Sequence, residues 1–75
     1  MSKLANNDEK GFTAGFYVFK TTGALDLQWK IGDEDFSTIT NGSYSAAADG
    51  TLDLPICLLK VINAGSETIT IKRAR

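Results

Sequence analysis

Turn-forming residues recur along the chain at intervals too short for ordinary helices. Glycine and asparagine accept the positive φ angles that tight turns require, so each such cluster ends a regular element. The clusters are Thr22-Gly23, Gly32-Asp33, Asn41-Gly42, Asp49-Gly50 and Asn63-Ala64-Gly65. Short segments bounded by turns at this spacing are typical of strands. The chain is therefore predicted to be all-β, a small antiparallel β-sandwich or barrel.

Two segments alternate between apolar and polar residues, as a strand with one buried face does. In residues 25–31, the apolar positions are Leu25, Leu27, Trp29 and Ile31. In residues 68–73, Ile69 and Ile71 are predicted to point inward. The shared face places Trp29 in the predicted core.

The turns and the alternation together predict about six to seven strands. The predicted ranges are 12–20, 24–31, 36–40, 43–46, 51–57, 58–63 and 67–73. Asn41-Gly42 favours a type I′ hairpin between residues 37–40 and 43–46. Pro55 cannot donate to a strand ladder, so it predicts an edge, a bulge or a bend, and 51–57 with 58–63 are either two strands or one bent strand. Cys57, in an apolar run, is expected to be a buried thiol.

Residues 1–11 are mostly polar and show no sustained periodicity, with Leu4 their one large aliphatic residue after Met1. They are predicted to form a flexible N-terminal arm, either mobile or ordered across a neighbouring subunit. Residues 12–75 are then the single folded domain.

The segment 12–19 carries apolar side chains on both predicted faces. One face is covered by the core, and the other is covered either by the rest of the domain or by another chain. The second alternative makes this segment and the arm a candidate interface. Its predicted residues are Phe12, Phe16, Tyr17, Phe19 and Leu4.

The composition limits how so small a domain gains stability. The chain has 75 residues, one cysteine and no histidine, which excludes an intramolecular disulfide and a Cys/His zinc site. Oligomerisation is the remaining common route. A net charge of -1 argues against nucleic-acid binding through a broad basic surface. No segment has the length of apolar residues that a membrane span needs, so we expect synthesis in a cytoplasm and no membrane partner.

Catalytic patterns are not found in the sequence. Without histidine there is no histidine-based triad, and no phosphate-binding glycine loop is present. The acidic group Asp33-Glu34-Asp35 matches no calcium-loop spacing and is expected to be a solvated turn. We expect no enzymatic activity, no cofactor and no metal site.

Several segments between residues 24 and 73 form a recurring arrangement. They are the strand 25–31 with its tryptophan, the acidic turn at 32–35, the strand 36–40, the Asp49-Gly50-Thr51 to Pro55 segment, and the closing Thr68-Ile69-Thr70-Ile71 strand. This arrangement resembles small β-rich virion proteins of tailed bacteriophages.

This resemblance implies a structural protein of the virion, most simply a capsid decoration or cement protein. Such a protein binds itself, often as a trimer, and binds the major capsid protein or another virion protein. A small tail or fibre component is an alternative. A free carbohydrate-binding module is another, with Tyr17, Trp29 or Tyr44 as an exposed aromatic platform.

Overall fold

The computed structural model describes residues 2–75, which form two four-stranded antiparallel sheets. The strands are β1 (Ser2–Leu4), β2 (Glu9–Phe12), β3 (Gly15–Thr21), β4 (Leu25–Lys30), β5 (Ser37–Tyr44), β6 (Asp49–Leu54), β7 (Cys57–Ile62) and β8 (Ile69–Arg73). The all-β prediction is confirmed, with eight strands where six or seven were expected. The architecture is that of a small β-sandwich.

The eight strands are divided equally between the two sheets. Sheet A has the order β1-β8-β3-β6, and sheet B has the order β2-β7-β4-β5. Only the connection from β4 to β5 joins neighbours within one sheet; each of the other connections crosses from one sheet to the other. Strands β1 and β2 are edges on one side of the sandwich, and β5 and β6 are edges on the other.

The core is filled by inward side chains of the central strands of both sheets. Ile69 and Ile71 of β8 lie in one cluster with Leu27 of β4 and with Leu59 and Val61 of β7, and each is at most 1% exposed. Full burial of such a side chain stabilises the fold by about 1.5–3 kcal/mol. The prediction that Ile69 and Ile71 point inward is confirmed.

The N-terminal segment belongs to the sandwich, so the prediction of a flexible arm is wrong. Strand β1 pairs with β8, and β2 pairs with β7 over residues 9–12. Leu4 is 5% exposed and joins the core cluster. Sequence reasoning missed β1 and β2 because both are short edge strands with polar exposed positions, which leave little alternation to read.

Asn41-Gly42 does not form the predicted hairpin, because β5 continues through it as one strand. The register against β4 shifts between Asp26↔Ser43 and Gln28↔Thr38, which leaves residues 39–42 as a wide bulge opposite Leu27. Asn41 has a φ of 62°. A Cβ on Gly42 would lie 2.9 Å from both the Cβ and the carbonyl oxygen of Ile39. The same backbone freedom that suits these residues to a turn is here used in a bulge.

The alternation predicted for residues 25–31 holds for its first half. Leu25 and Leu27 are buried, whereas Trp29 is half-buried against the core and Ile31 is 40% exposed. Strand β4 ends at Lys30, so Ile31 lies beyond the sheet. The prediction that Trp29 is a core residue is confirmed in part, because Trp29 packs against the core cluster but is only half-buried.

Pro55 lies at a bend of the chain, one of the alternatives that the sequence predicts, and the predicted strand 51–57 ends before it. Strand β6 stops at Leu54, and β7 begins at Cys57 in the other sheet, so residues 55–56 form a corner between sheets. Cys57 is a free, buried thiol, as expected. The positive-φ residues Asn63 and Gly65 form the predicted turn before β8.

The role of β1 can be tested by truncating its buried side chain. We expect Leu4→Ala to lower the free energy of unfolding by about 2–5 kcal/mol, because a buried leucine leaves a cavity. Lys3→Ala, at the exposed neighbouring position, should change it by less than about 0.5 kcal/mol. Urea denaturation of the three proteins measures both values. Equal stability of Leu4→Ala and wild type would show that β1 is not part of the folded domain.

Candidate functional site

The side of the sandwich bordered by β5 and β6 contains an open groove. This open-edge groove has a volume of about 380 Å³. Its lining residues come from both sheets: Phe19, Trp29, Ile39, Thr40, Asn41, Tyr44, Gly50, Thr51, Leu52, Asp53 and Leu54. Both bordering strands are edges, so one side of each backbone has no strand partner.

The floor of the groove is aromatic and aliphatic because inward positions of β3, β4, β5 and β6 converge there. The rings of Tyr44 and Phe19 pack at 5.2 Å between centroids with a tilt of 43°. Trp29 and Tyr44 are half-buried and lie against the core cluster. Gly50 lies next to Phe19, and a Cβ at this position would be 3.3 Å from two atoms of the Phe19 ring. Glycine thus keeps this part of the groove free of a side chain.

The β5 wall of the groove is shaped by the bulge. Thr40 and Asn41 are exposed residues of the bulge and line the groove. Bulges redirect side chains at sheet edges and occur often beside binding sites. Asp53 is the only charged residue that lines the groove, and no lysine or arginine lines it.

Tyr44 is partly buried, which affects the ionisation of its phenol. Desolvation raises the pKa of the Tyr44 phenol above its ordinary value of 10.0, since the charged phenolate loses contact with water. Tyr44 is thus a neutral hydroxyl over the ordinary pH range, able to donate and accept hydrogen bonds.

The outer face of sheet A is a second candidate surface. It is the side of the sheet away from sheet B and consists of residues that alternate with the buried ones. At its centre, Phe16 is half-buried and Val18 is 40% exposed. The guanidinium carbon of Arg75 lies 5.1 Å from the centroid of the Phe16 ring, a cation–π contact.

Charges of opposite sign flank this apolar centre. On the β6 side, Asp53 is paired with Phe16, and Asp49 is paired with Lys20. On the other side, Lys72 of β8 is paired with Val18, and Lys3 lies on the neighbouring β1. The outer face of sheet A therefore changes from acidic to basic across the strands.

The five residues predicted to form an interface are divided by the fold. Leu4, Phe12, Tyr17 and Phe19 belong to the chain's own core, each no more than 9% exposed. Phe16 alone lies on the outer face of sheet A. Tyr17 and Phe19 are covered by sheet B. This face of segment 12–19 therefore needs no second chain to cover it.

Tyr17 is fixed in a polar cluster at one end of the sandwich and does not join the other aromatic residues proposed as a platform. Its hydroxyl donates to the carbonyl oxygen of Thr13 at 2.8 Å and accepts from Arg73 Nη1 at 3.1 Å. Its ring packs edge-to-face on Phe12, with centroids 5.3 Å apart. Of the three predicted platform residues, the structure brings together Trp29 and Tyr44 in the groove.

Sequence reasoning missed Asn41, Thr40 and the division of charge on the outer face of sheet A. The alternation of Asp49, Thr51 and Asp53 is visible in the sequence. The division of charge also depends on which strands lie beside β6 in sheet A. Alternation alone does not give that strand order.

The remaining predicted features are placed as follows. Asp33, Glu34 and Asp35 lie in an exposed turn after β4. Within residues 2–75, no three His, Cys, Asp or Glu side chains are close enough together to hold a metal ion. The same residues include no helix that is long and apolar enough to cross a membrane.

Comparison with known proteins gives no match. No protein family model, no curated protein and no solved structure is detectably similar to this chain.

The raised pKa of Tyr44 predicts a loss of stability at alkaline pH. The folded state holds the phenol proton more tightly than the unfolded chain, so this contribution is complete below pH 10.0 and decreases as the pH rises through the folded-state pKa. The substitution Tyr44→Phe removes this contribution to stability, because phenylalanine has no phenol proton. Denaturant unfolding between about pH 8 and pH 11.5 should show wild type losing more stability than Tyr44→Phe above about pH 10.

Burial also raises the pKa of Cys57 above 9.0. The effect of the Cys57 thiol on stability begins at lower pH than that of Tyr44. It is the same in wild type and in Tyr44→Phe, so it cancels when the two proteins are compared. Stability curves that stay parallel through the whole range would contradict the assignment of a buried phenol.

Proposed function

We propose that this chain is a non-enzymatic structural protein of a bacteriophage virion, a capsid decoration or cement protein that binds its own copies and the capsid shell. The resemblance over residues 24–73 supports this role, as does the small size of a domain without disulfides. The observation that carries the proposal is the outer face of sheet A, with its apolar centre and its acidic and basic sides.

Such a face is complementary to itself. If two copies meet face to face about a twofold axis parallel to the strands, the acidic β6 side of one copy lies against the basic β8 and β1 side of the other. Phe16 and Val18 of the two copies then meet at the centre. Electrostatic complementarity of this kind fixes orientation and speeds association, and twofold pairing is the commonest form of homo-oligomer.

The area of the chain is sufficient for such contacts. A stable interface buries about 800 Å² on each partner, which is just under a fifth of the 4478 Å² that the described residues expose. The resemblance implies a trimer, whereas the charge division favours a pair. The measured mass of the assembly distinguishes the two, and a tail or fibre component would assemble in the same way without binding capsids.

Charge substitution tests the outer face of sheet A. Lys72→Glu should weaken self-association by about tenfold or more, because it places acidic side chains of two copies opposite each other. Adding Asp49→Lys to Lys72→Glu should restore association. Lys30→Glu makes the same change of charge on the outer face of sheet B and should leave association unchanged. Light scattering over a concentration series measures the mass of each protein.

Co-sedimentation of the same four proteins with purified capsids tests attachment to the shell. A wild-type chain that stays monomeric at about 1 mM and does not sediment with capsids would contradict the proposed function. Equal effects of Lys72→Glu and Lys30→Glu would show that the outer face of sheet A is not the contact.

A further inference from the structure

The open-edge groove is not used by the proposed assembly, and its composition indicates a ligand. Its volume of about 380 Å³ falls in the range of small-molecule sites, about 300–1,000 Å³. Such sites combine an apolar floor with a few polar groups that fix orientation. The groove has both parts, because Trp29 and Tyr44 lie beside Thr40 and Asn41.

The aromatic residues favour a ligand with a flat apolar face. Trp29 and Tyr44 keep part of their surface exposed in the groove, although each packs on the core. Aromatic rings with a polar end are suited to ligands that are apolar on one side and hydrated on the other. A pyranose ring is such a ligand, since its C–H groups form an apolar face and its hydroxyls surround it.

The polar lining favours a neutral ligand rich in hydroxyl groups. Thr40 supplies a hydroxyl, and Asn41 supplies an amide that both donates and accepts hydrogen bonds. The lining includes no lysine or arginine, and its one charged residue is Asp53, whose side chain lies on the outer face of sheet A. An anionic saccharide would therefore find no positive partner in the groove.

The bulge argues against an extended peptide as the occupant. Strand addition needs a regular edge with evenly spaced main-chain groups. The bulge at residues 39–42 interrupts β5, which borders the groove, and bulges are a common means of preventing edge pairing. The same bulge brings Asn41 to the groove wall.

We infer that the open-edge groove binds one sugar ring of a neutral saccharide, with Trp29 and Tyr44 against its apolar face and Asn41 among its hydrogen-bond partners. This inference goes beyond the virion role. It concerns the isolated chain, and failure of either proposal leaves the other intact.

The chain offers a direct reporter and a matched pair of variants. Trp29 is the only tryptophan, so tryptophan fluorescence reports on the groove. Asn41→Gly removes the amide while keeping a residue that accepts the φ of 62°. Asn7→Gly makes the same change at a φ of 69° in the β1–β2 turn, on the opposite side of the sandwich.

The experiment titrates the three proteins with chitotetraose, cellotetraose and maltotetraose, and with a heparin tetrasaccharide as the anionic probe. We expect a saturable fluorescence change with at least one neutral saccharide and none with heparin. Asn41→Gly should weaken binding by about three- to tenfold, as expected for loss of one hydrogen bond. Asn7→Gly should bind as wild type does.

Four results would overturn the inference. The first is no response to any neutral saccharide up to about 10 mM, tenfold above a dissociation constant of 1 mM. The second is equal or tighter binding of the heparin fragment. The third is equal weakening by Asn7→Gly and Asn41→Gly. A response only to an extended heptapeptide of alternating valine and threonine would assign the groove to strand addition and would likewise contradict the proposal.

Discussion

The turn between β1 and β2 links the two sheets on one side of the sandwich, and the placement of the N-terminal segment depends on its hydrogen bonds. In the turn between β1 and β2, the Asn7 amide donates to the Val61 carbonyl oxygen at 2.7 Å, and the Val61 amide donates to that of Asp8 at 3.1 Å. The Ala64 amide donates to Asn6 Oδ1 at 3.0 Å. A segment whose first strand pairs in sheet A is thereby fixed to β7 of sheet B.

On the opposite side, the loop of residues 45–48 carries the chain from β5 of sheet B to β6 of sheet A. The Thr21 amide donates to the Ala48 carbonyl oxygen at 2.7 Å, so this loop is fixed to sheet A. Tyr44, Phe19 and Trp29 extend the cluster of buried residues toward solvent, and Gly50 and the β5 bulge leave space beside them. The groove therefore lies between two edge strands that do not pair with each other.

The parts of this fold that were predictable from sequence are those where local pattern and tertiary environment agree. Ile69 and Ile71 alternate in a central strand, so both signals coincide. Asn41-Gly42 shows the reverse: its local preference for positive φ is satisfied, but a bulge satisfies it as well as a hairpin does. Leu4 gave no usable signal, because a three-residue edge strand is defined by its partner β8 rather than by its own sequence.

The candidate site was also harder to predict, because it depends on which strands lie beside each other and not on the local sequence. Trp29 and Tyr44 are conspicuous aromatic residues, and their inclusion among possible platform residues needed only composition. Tyr17 appeared equivalent to them, and only the contacts of its hydroxyl with Thr13 and Arg73 separate it. Asn41 and Gly50 reach the groove from β5 and β6, which belong to different sheets, a relation that no local pattern contains.

Strand β6 borders both candidate surfaces. Its outward residues Asp49, Thr51 and Asp53 form the acidic side of the outer face of sheet A, while Leu52 and Leu54 point inward to the groove. The outer face of sheet A is approached perpendicular to the sheet, whereas the groove opens at the edge between the sheets. The two proposals therefore concern different faces of one strand, which meet where Thr51 and Asp53 border the groove.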